Sequence, residues 1–226
     1  GIMDTELELD RYWDEMYRYY ANIIGKYGSP VQKAIQKLTS VSFEIICSTH
    51  GPVWKDFRHK ALDIYDRLSR FEAEEGVVVV YGSMYGTTEL MAETVAQGLC
   101  EAGIKPVIVH NVSNQDLSVI LGDIYKYRGC VMGSPTYNNG LFPEMEDLIK
   151  KIESRGVKNR IFGCFGSYSW SGAAVKNLSE FAHHMNWEVA QLTVEEKQGL
   201  KKDNYEACLQ LGYQVASLLV DTRQKK

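Results

Sequence analysis

The chain has 226 residues, room for one large domain or two modest ones, and its 45% apolar and 24% charged content is that of a folded globular protein. A net charge of −4 supplies no basic stripe to displace counterions, so nucleic acid is not an expected partner, and no apolar run reaches the ~18 residues that would suggest a membrane span. Five dispersed cysteines without a CxxC pair argue against a disulfide framework or a zinc site. Together with the acidic residues that follow Gly1-Ile2-Met3-Asp4 in place of a signal-like basic start, they lead us to expect a cytoplasmic protein with free thiols.

In chain order, Tyr12, Met16, Tyr19, Tyr20 and Ile23 recur at helical spacing and predict an amphipathic helix. Gly28-Ser29-Pro30 ends it and starts another, with Ser29 as cap, Pro30 at the first helical position, and Val31, Ile35 and Leu38 as the buried stripe. Phe43 to Cys47 reads as a strand leading into the turn Ser48-Thr49-His50-Gly51-Pro52, and a third helix carries Ala61, Ile64, Tyr65 and Leu68 on one face. A lone strand among three helices has no internal partner for its backbone, so this first region reads as the tail of a larger domain or as something that packs on another chain.

The acidic stretch Glu72 to Gly76 is a seam, dividing residues 1–72 from 76–226. Beyond it apolar runs begin near Val77, Lys105, Gly129, Arg160 and Trp187, at intervals of 28, 24, 31 and 27 residues, each followed by a helical pattern. That rhythm matches the ~30 residues of a strand–helix unit with a right-handed crossover. Val77-Val78-Val79-Val80 and Ile161-Phe162-Gly163-Cys164-Phe165 are continuously apolar, as parallel strands covered on both faces must be. The expected fold is α/β, a doubly wound five-stranded parallel sheet.

Ligands of such sheets bind at the carboxyl ends of the strands, and three loops there are unusual. Gly82-Ser83-Met84-Tyr85-Gly86-Thr87-Thr88 joins a strand to a helix and presents hydroxyls and backbone N–H groups at the helix's positive end, a seat for phosphate. It has neither the lysine of a P-loop nor a GxGxxG, which suits a monophosphate held by neutral donors. Gly133-Ser134-Pro135-Thr136-Tyr137-Asn138-Asn139-Gly140 combines turn formers with an aromatic ring, and Gly166-Ser167-Tyr168-Ser169-Trp170-Ser171-Gly172 places two aromatics on a strand-end loop. Each alone could be a packed turn; together they describe a slot for a planar ring with a phosphate tail, which riboflavin monophosphate (FMN) fits.

The loop Ser83 to Thr88 resembles the flavodoxin motif [ST]-x-[TS]-G-x-T, departing at Tyr85, which stands where the motif has a hydroxyl amino acid. With the other two loops it is similar to flavodiiron proteins, in which a metallo-β-lactamase-like diiron domain precedes a flavodoxin-like domain. Ile46-Cys47-Ser48-Thr49-His50-Gly51-Pro52-Val53-Trp54 resembles the segment that closes the diiron domain, whose histidine is an iron ligand. The resemblance implies that residues 1–72 are a mostly helical remnant of that domain and 76–226 the flavodoxin-like domain. The family's H-x-E-x-D-H motif is absent, so His50 is expected to bind iron, and a diiron centre to form, only if another polypeptide supplies the rest.

The resemblance further implies an electron-transfer module. Its donor would be rubredoxin or a flavin/NAD(P)H reductase, its acceptor a diiron centre reducing O₂ or NO, and its assembly a head-to-tail homodimer. Ser83, Met84, Tyr85, Gly86, Thr87 and Thr88 are expected to enclose the phosphate. Pro135, Thr136, Tyr137, Asn138 and Gly140 are expected on one side of the isoalloxazine, and Ser167, Tyr168, Trp170, Ser171 and Gly172 on the other. No side chain need act as general acid or base. The alternatives are a free-standing NAD(P)H-dependent quinone or nitro-compound reductase, and a non-redox interaction module. His183 and His184, adjacent on a helix, point about 100° apart and cannot chelate one ion together.

Overall fold

Four consecutive valines form the heart of an eight-residue strand, Glu74–Tyr81, and the run is unbroken because both faces of the strand are covered. In the computed structural model, which describes residues 1–224, Val78 and Val80 enter one apolar cluster while Val77 and Val79 enter a second. Ahead of this strand lie α1 (Leu9–Tyr19), α2 (Gly28–Leu38), β1 (Ile46–Cys47), β2 (Val53–Trp54) and α3 (Arg58–Ser69). The valine strand is therefore β3. It is followed by α4 (Thr87–Glu101), β4 (Val107–Asn111), α5 (Leu117–Lys126), β5 (Tyr127–Pro135), α6 (Pro143–Arg155), β6 (Ile161–Tyr168), α7 (Ala174–His184), β7 (Glu188–Val189), β8 (Val194–Lys197) and α8 (Lys202–Gln224).

All pairings in the main sheet are parallel, in the order β4-β3-β5-β6 with β7 and β8 both on the far side of β6. Counted from the seam this is the flavodoxin-like order 2-1-3-4-5, whose winding reverses between β3 and β5. The expected fifth strand is one position filled by two segments. β7 pairs with the start of β6, through Ile161↔Glu188 and Phe162↔Val189, and β8 pairs with its end, from Phe165↔Val194 to Tyr168↔Lys197. Between them Leu192 donates its N–H to Gln214 Oε1 of α8 at 2.7 Å, so the chain leaves the ladder and then rejoins it.

Helices α4 and α8 cover one face of the sheet, and α5, α6 and α7 cover the other. The first two meet backbone to backbone: a Cβ added at Gly98 would lie 2.5 Å from the Leu209 carbonyl oxygen, and one at Gly212 would lie 2.6 Å from that of Val95. Glycine is what permits that approach. No described helix is long and apolar enough to cross a membrane, and all five cysteines are free thiols.

The first region packs on the α5 side, with Trp13, Tyr17, Tyr20, Trp54, Ile64 and Leu68 in the same cluster as Val78, Tyr125 and Phe162. Three sequence expectations change here. The residues α1 buries are Trp13, Tyr17 and the following Tyr20 and Ala21, whereas Tyr12 and Ile23 are exposed, because α1 is apolar on two faces and packs on α5 with only one. Ser29 caps nothing: α2 begins at Gly28, tight against the Ser69 carbonyl, and its stripe of Val31, Ile35 and Leu38 is only partly covered. The strand expected from Phe43 shortens to β1, and it is not alone, since the turn after it brings β2 back antiparallel, Ile46↔Trp54 and Cys47↔Val53.

Burial pushes the phenols of Tyr17, Tyr20 and Tyr65 up to about 12 and the thiols of Cys130 and Cys208 likewise, with Cys164 raised to about 11. In the unfolded chain these groups ionise near 9 (Cys) and 10 (Tyr), so above those values the unfolded state holds fewer protons than the folded one. Their contribution to stability is therefore complete below about pH 8.5 and is lost as pH rises toward 12. The melting temperature should fall progressively from about pH 9 upward; a melting temperature that stays level through pH 11 would show that these groups titrate normally.

Candidate functional site

The carboxyl ends of β3 and β5 flank the point where the winding reverses, and the loops that leave them build a cavity of ≈ 300 Å³. Its lining is Ser83, Met84, Tyr85, Thr87, Thr88, Pro135, Thr136, Ser167, Tyr168, Ser169, Gln198 and Gly199, most of them hydroxyl-bearing and none charged.

The first loop turns because Gly86 adopts φ 86°, a left-handed conformation that glycine enters without steric cost. Gly86 donates its N–H to Ser83 Oγ at 3.1 Å, and as the N-cap of α4 it starts a 15-residue helix whose first N–H groups have no partner inside the helix. A Cβ at Gly86 would meet nothing within 4 Å, so space stands open beside the helix's positive end. Thr88 is buried, and its Oγ1 lies 2.9 Å from Ser167 Oγ, tying this loop to the end of β6. Glu89 in the first turn accepts from Tyr81 OH at 2.7 Å; desolvation and that carboxylate raise the phenol to about 12.

In the second loop Asn138 and Asn139 both have positive φ, 47° and 61°, and Tyr137 and Gly140 exchange backbone hydrogen bonds at 3.1 and 2.8 Å. This is the two-residue turn for which asparagine is suited, and it carries Tyr137 half-exposed at its base. Thr136 does double duty. It lines the cavity, while its Oγ1 accepts from the N–H groups of Ala173 and Ala174 at 3.0 and 3.1 Å, capping α7 from outside the helix. In the third loop Ser167 is buried, Tyr168 is half-buried and Trp170 is 93% exposed. An added Cβ at Gly172 would meet the carboxylate of Glu195, an exposed side chain with room to move.

Of the expected residues, Ser83, Met84, Tyr85, Thr87, Thr88, Pro135, Thr136, Ser167 and Tyr168 converge on one cavity. Gly86 shapes its mouth, whereas Tyr137, Asn138, Gly140, Trp170, Ser171 and Gly172 are not among the cavity's lining. Sequence reasoning missed Ser169, Gln198 and Gly199. Little in the sequence marked the last two: Val194-Glu195-Glu196-Lys197 has one apolar residue followed by three charged ones, and only its pairing with β6 makes the Gln-Gly pair a strand-end loop beside the others.

His50 is exposed, its ring 5.5 Å from that of Tyr19, on a separate apolar cavity of ≈ 380 Å³ that also touches Met16, Ile46, Trp54 and Tyr65. Among the described residues no three His, Cys, Asp or Glu side chains are grouped to hold a metal ion.

Comparison with known proteins bears directly on the cavity. The flavodoxin family matches residues 79–212, more than half of the chain. The anaerobic nitric oxide reductase flavorubredoxin of Escherichia coli O1:K1 is 27% identical over 218 residues, covering 95% of this chain and 45% of that protein. An uncharacterised protein of Methanocaldococcus jannaschii is 28% identical over 203 residues, covering 88% of this chain and 51% of its own length. Among solved structures, the rubredoxin oxygen:oxidoreductase of Desulfovibrio gigas superposes with a TM-score of 0.91 at 28% identity, covering 98% of this chain and 56% of that one. The flavodiiron protein of Giardia intestinalis reaches 0.93 at 23% identity, covering 100% and 56%, a likeness of fold. The chain thus spans about half the length of the relatives it matches.

Proposed function

This chain belongs to the flavodoxin family, and from that premise we propose that its cavity holds FMN. Within the family it corresponds to the C-terminal, flavodoxin-like part of flavodiiron proteins, a class of flavin-dependent oxidoreductases. The observation that carries the FMN reading is the uncharged, hydroxyl-lined cavity at the amino end of α4. A phosphate ester fits there with donors of the right kind: the free N–H groups at the helix start and the hydroxyls of Ser83, Thr87 and Thr88. No lysine, arginine or metal is needed to neutralise a single phosphate so placed.

When bound, FMN supplies one- and two-electron redox chemistry. The protein's part is to hold and orient. Ser83 and the start of α4 fix the phosphate, and the Thr88–Ser167 hydrogen bond keeps the first and third loops at a set separation. In this reading Tyr137 and Trp170, both exposed, flank the ring, and Asn138, Gly140, Ser171 and Gly172 belong to the two loops that carry them.

In this reading residues 1–72 are the end of a metallo-β-lactamase-like unit and 76–226 the FMN domain. Electrons arrive from rubredoxin or a reductase and pass to a diiron centre that reduces NO or O₂; the Escherichia coli relative is named a nitric oxide reductase and the Desulfovibrio gigas one a rubredoxin oxygen:oxidoreductase. His50 contributes to that centre only with ligands from elsewhere, and a head-to-tail homodimer in the cytoplasm is the proposed setting.

Titration of the purified chain with FMN should give saturable, one-to-one quenching of flavin fluorescence, and the chain alone should reduce neither O₂ nor NO at a useful rate. Absence of flavin binding defeats the proposal. Rapid O₂ or NO consumption by the isolated, metal-loaded chain would remove the need for further ligands.

A further inference from the structure

We propose that Gln198 makes this site select a phosphorylated flavin, its carboxamide restoring the donor that Tyr85 takes out of the phosphate loop. The inference rests on the FMN reading above and assigns a residue outside all three expected loops. Tyr85 is 91% exposed and replaces a short hydroxyl side chain, so the loop itself is one side-chain donor short. Gln198, itself exposed, and Gly199 line the same cavity as Ser83, Thr87 and Thr88, whereas Tyr137 and Trp170 do not. Gln198 therefore shares the cavity with the proposed phosphate loop.

The backbone at this position is unusual. Gln198 has φ 67°, in the left-handed region that costs a side-chain-bearing residue about 1 kcal/mol or more. Glycine would hold that conformation without the cost, and a glycine is the very next residue. Strain of this kind persists where the surroundings over-determine it, and it clusters at ligand clamps. Here the surroundings are explicit. Gln198 donates its N–H to the Tyr168 carbonyl at 2.9 Å, continuing the β8–β6 ladder. On the other side, Glu196 is 1% exposed and its Oε2 accepts from Lys201 N–H at 3.0 Å and Asn204 Nδ2 at 2.9 Å, stapling the loop that contains Gln198 to the start of α8.

The backbone of Gln198 is thus fixed on both sides while its carboxamide has no hydrogen-bond partner among the described residues. A held backbone and an uncommitted amide donor, facing a seat with no cation, suit one more charge-assisted hydrogen bond to a phosphate oxygen.

The test compares FMN with riboflavin, which lacks the phosphate, on wild type, Gln198→Gly and Gln198→Glu. Gln198→Gly removes the amide and relieves the left-handed strain, so the loop is not weakened. FMN affinity should fall about ten- to hundred-fold, the worth of a hydrogen bond to a charged group, with riboflavin affinity unchanged. Gln198→Glu should lose more FMN affinity again, in a manner that high salt partly restores, and still bind riboflavin as wild type does. The inference is overturned if Gln198→Gly binds FMN like wild type, or if it loses both flavins in equal proportion. Wild-type protein that binds neither flavin marks the separate failure of the FMN reading and takes this inference with it.

Discussion

Replacing Gly86 with aspartate is expected to weaken FMN binding by about a hundred-fold or more, while asparagine at the same position costs about ten-fold or less. The two substituents are the same size, and neither meets protein, since a Cβ there has nothing within 4 Å. Both also suffer the same left-handed backbone, φ 86°, which Asn and Asp tolerate better than other side chains. What separates them is a negative charge at the mouth of a seat for a dianion. At roughly 5 Å, with an effective dielectric constant of about 20, each pair of unit charges repels by about 3 kcal/mol, or about two powers of ten in affinity. Salt should shrink the difference, because the loop is exposed. Dissociation constants for FMN measured at low and high salt decide the matter; equal affinities of the Asp and Asn variants would place the phosphate elsewhere.

The second large effect concerns stability. Arg160 is 1% exposed, yet no carboxylate is among its hydrogen-bond partners. Its guanidinium donates to main-chain carbonyls: Nε to Ile124 at 2.7 Å, Nη2 to Tyr125 at 2.9 Å, and Nη1 to Lys158 at 2.6 Å, with Phe71 and Asn159 further off at 3.3 and 3.4 Å. Burial draws its pKa down to about 10, still well above neutrality, so the group is a cation at pH 7. Two of the carbonyls belong to the last turn of α5, the negative end of that helix, and one, that of Phe71, belongs to the turn that follows α3. A single side chain therefore joins the first region, α5 and the start of β6. Arg160→Met keeps much of the volume and strands those carbonyls, and should cost about 3 kcal/mol or more in denaturant unfolding. Arg160→Lys, which cannot reproduce the fork, should recover only part. The cavity lies at the other end of β6, roughly 20 Å away, so FMN affinity of the folded variant should match wild type. A loss below about 1 kcal/mol would show that water satisfies those carbonyls as well as the guanidinium does.

Much of this protein is legible along the chain. The unbroken Val77–Val80 run, the regular spacing of apolar segments and the Gly-Ser-hydroxyl loop after the first strand point, through local chemistry, to the winding and to the proposed seat at α4. Backbone conformation at Gly86 and at the Asn138-Asn139 turn likewise follows from the residue types that occupy them. The resemblance in Ser83 to Thr88 pointed to the same place.

Other features are decided only when distant segments meet. Which face of α1 is buried depends on where α5 and the rest of the first region meet it, so Trp13 and Tyr17 go inward and Tyr12 does not. Thr136 reads as a ligand contact, yet its oxygen is committed to α7, a helix almost forty residues further on. The interruption between β7 and β8 follows from Gln214 of α8 competing with β6 for a backbone N–H, and no local pattern encodes that competition. The same pairing of β8 with β6 carries Gln198 to the cavity. Turns and left-handed backbone positions are thus written in a few neighbouring residues, because they are set by local sterics and hydrogen bonding. The choice of partner for each exposed face and each uncommitted donor belongs to the tertiary structure, because it depends on which groups the fold brings within hydrogen-bonding or packing distance.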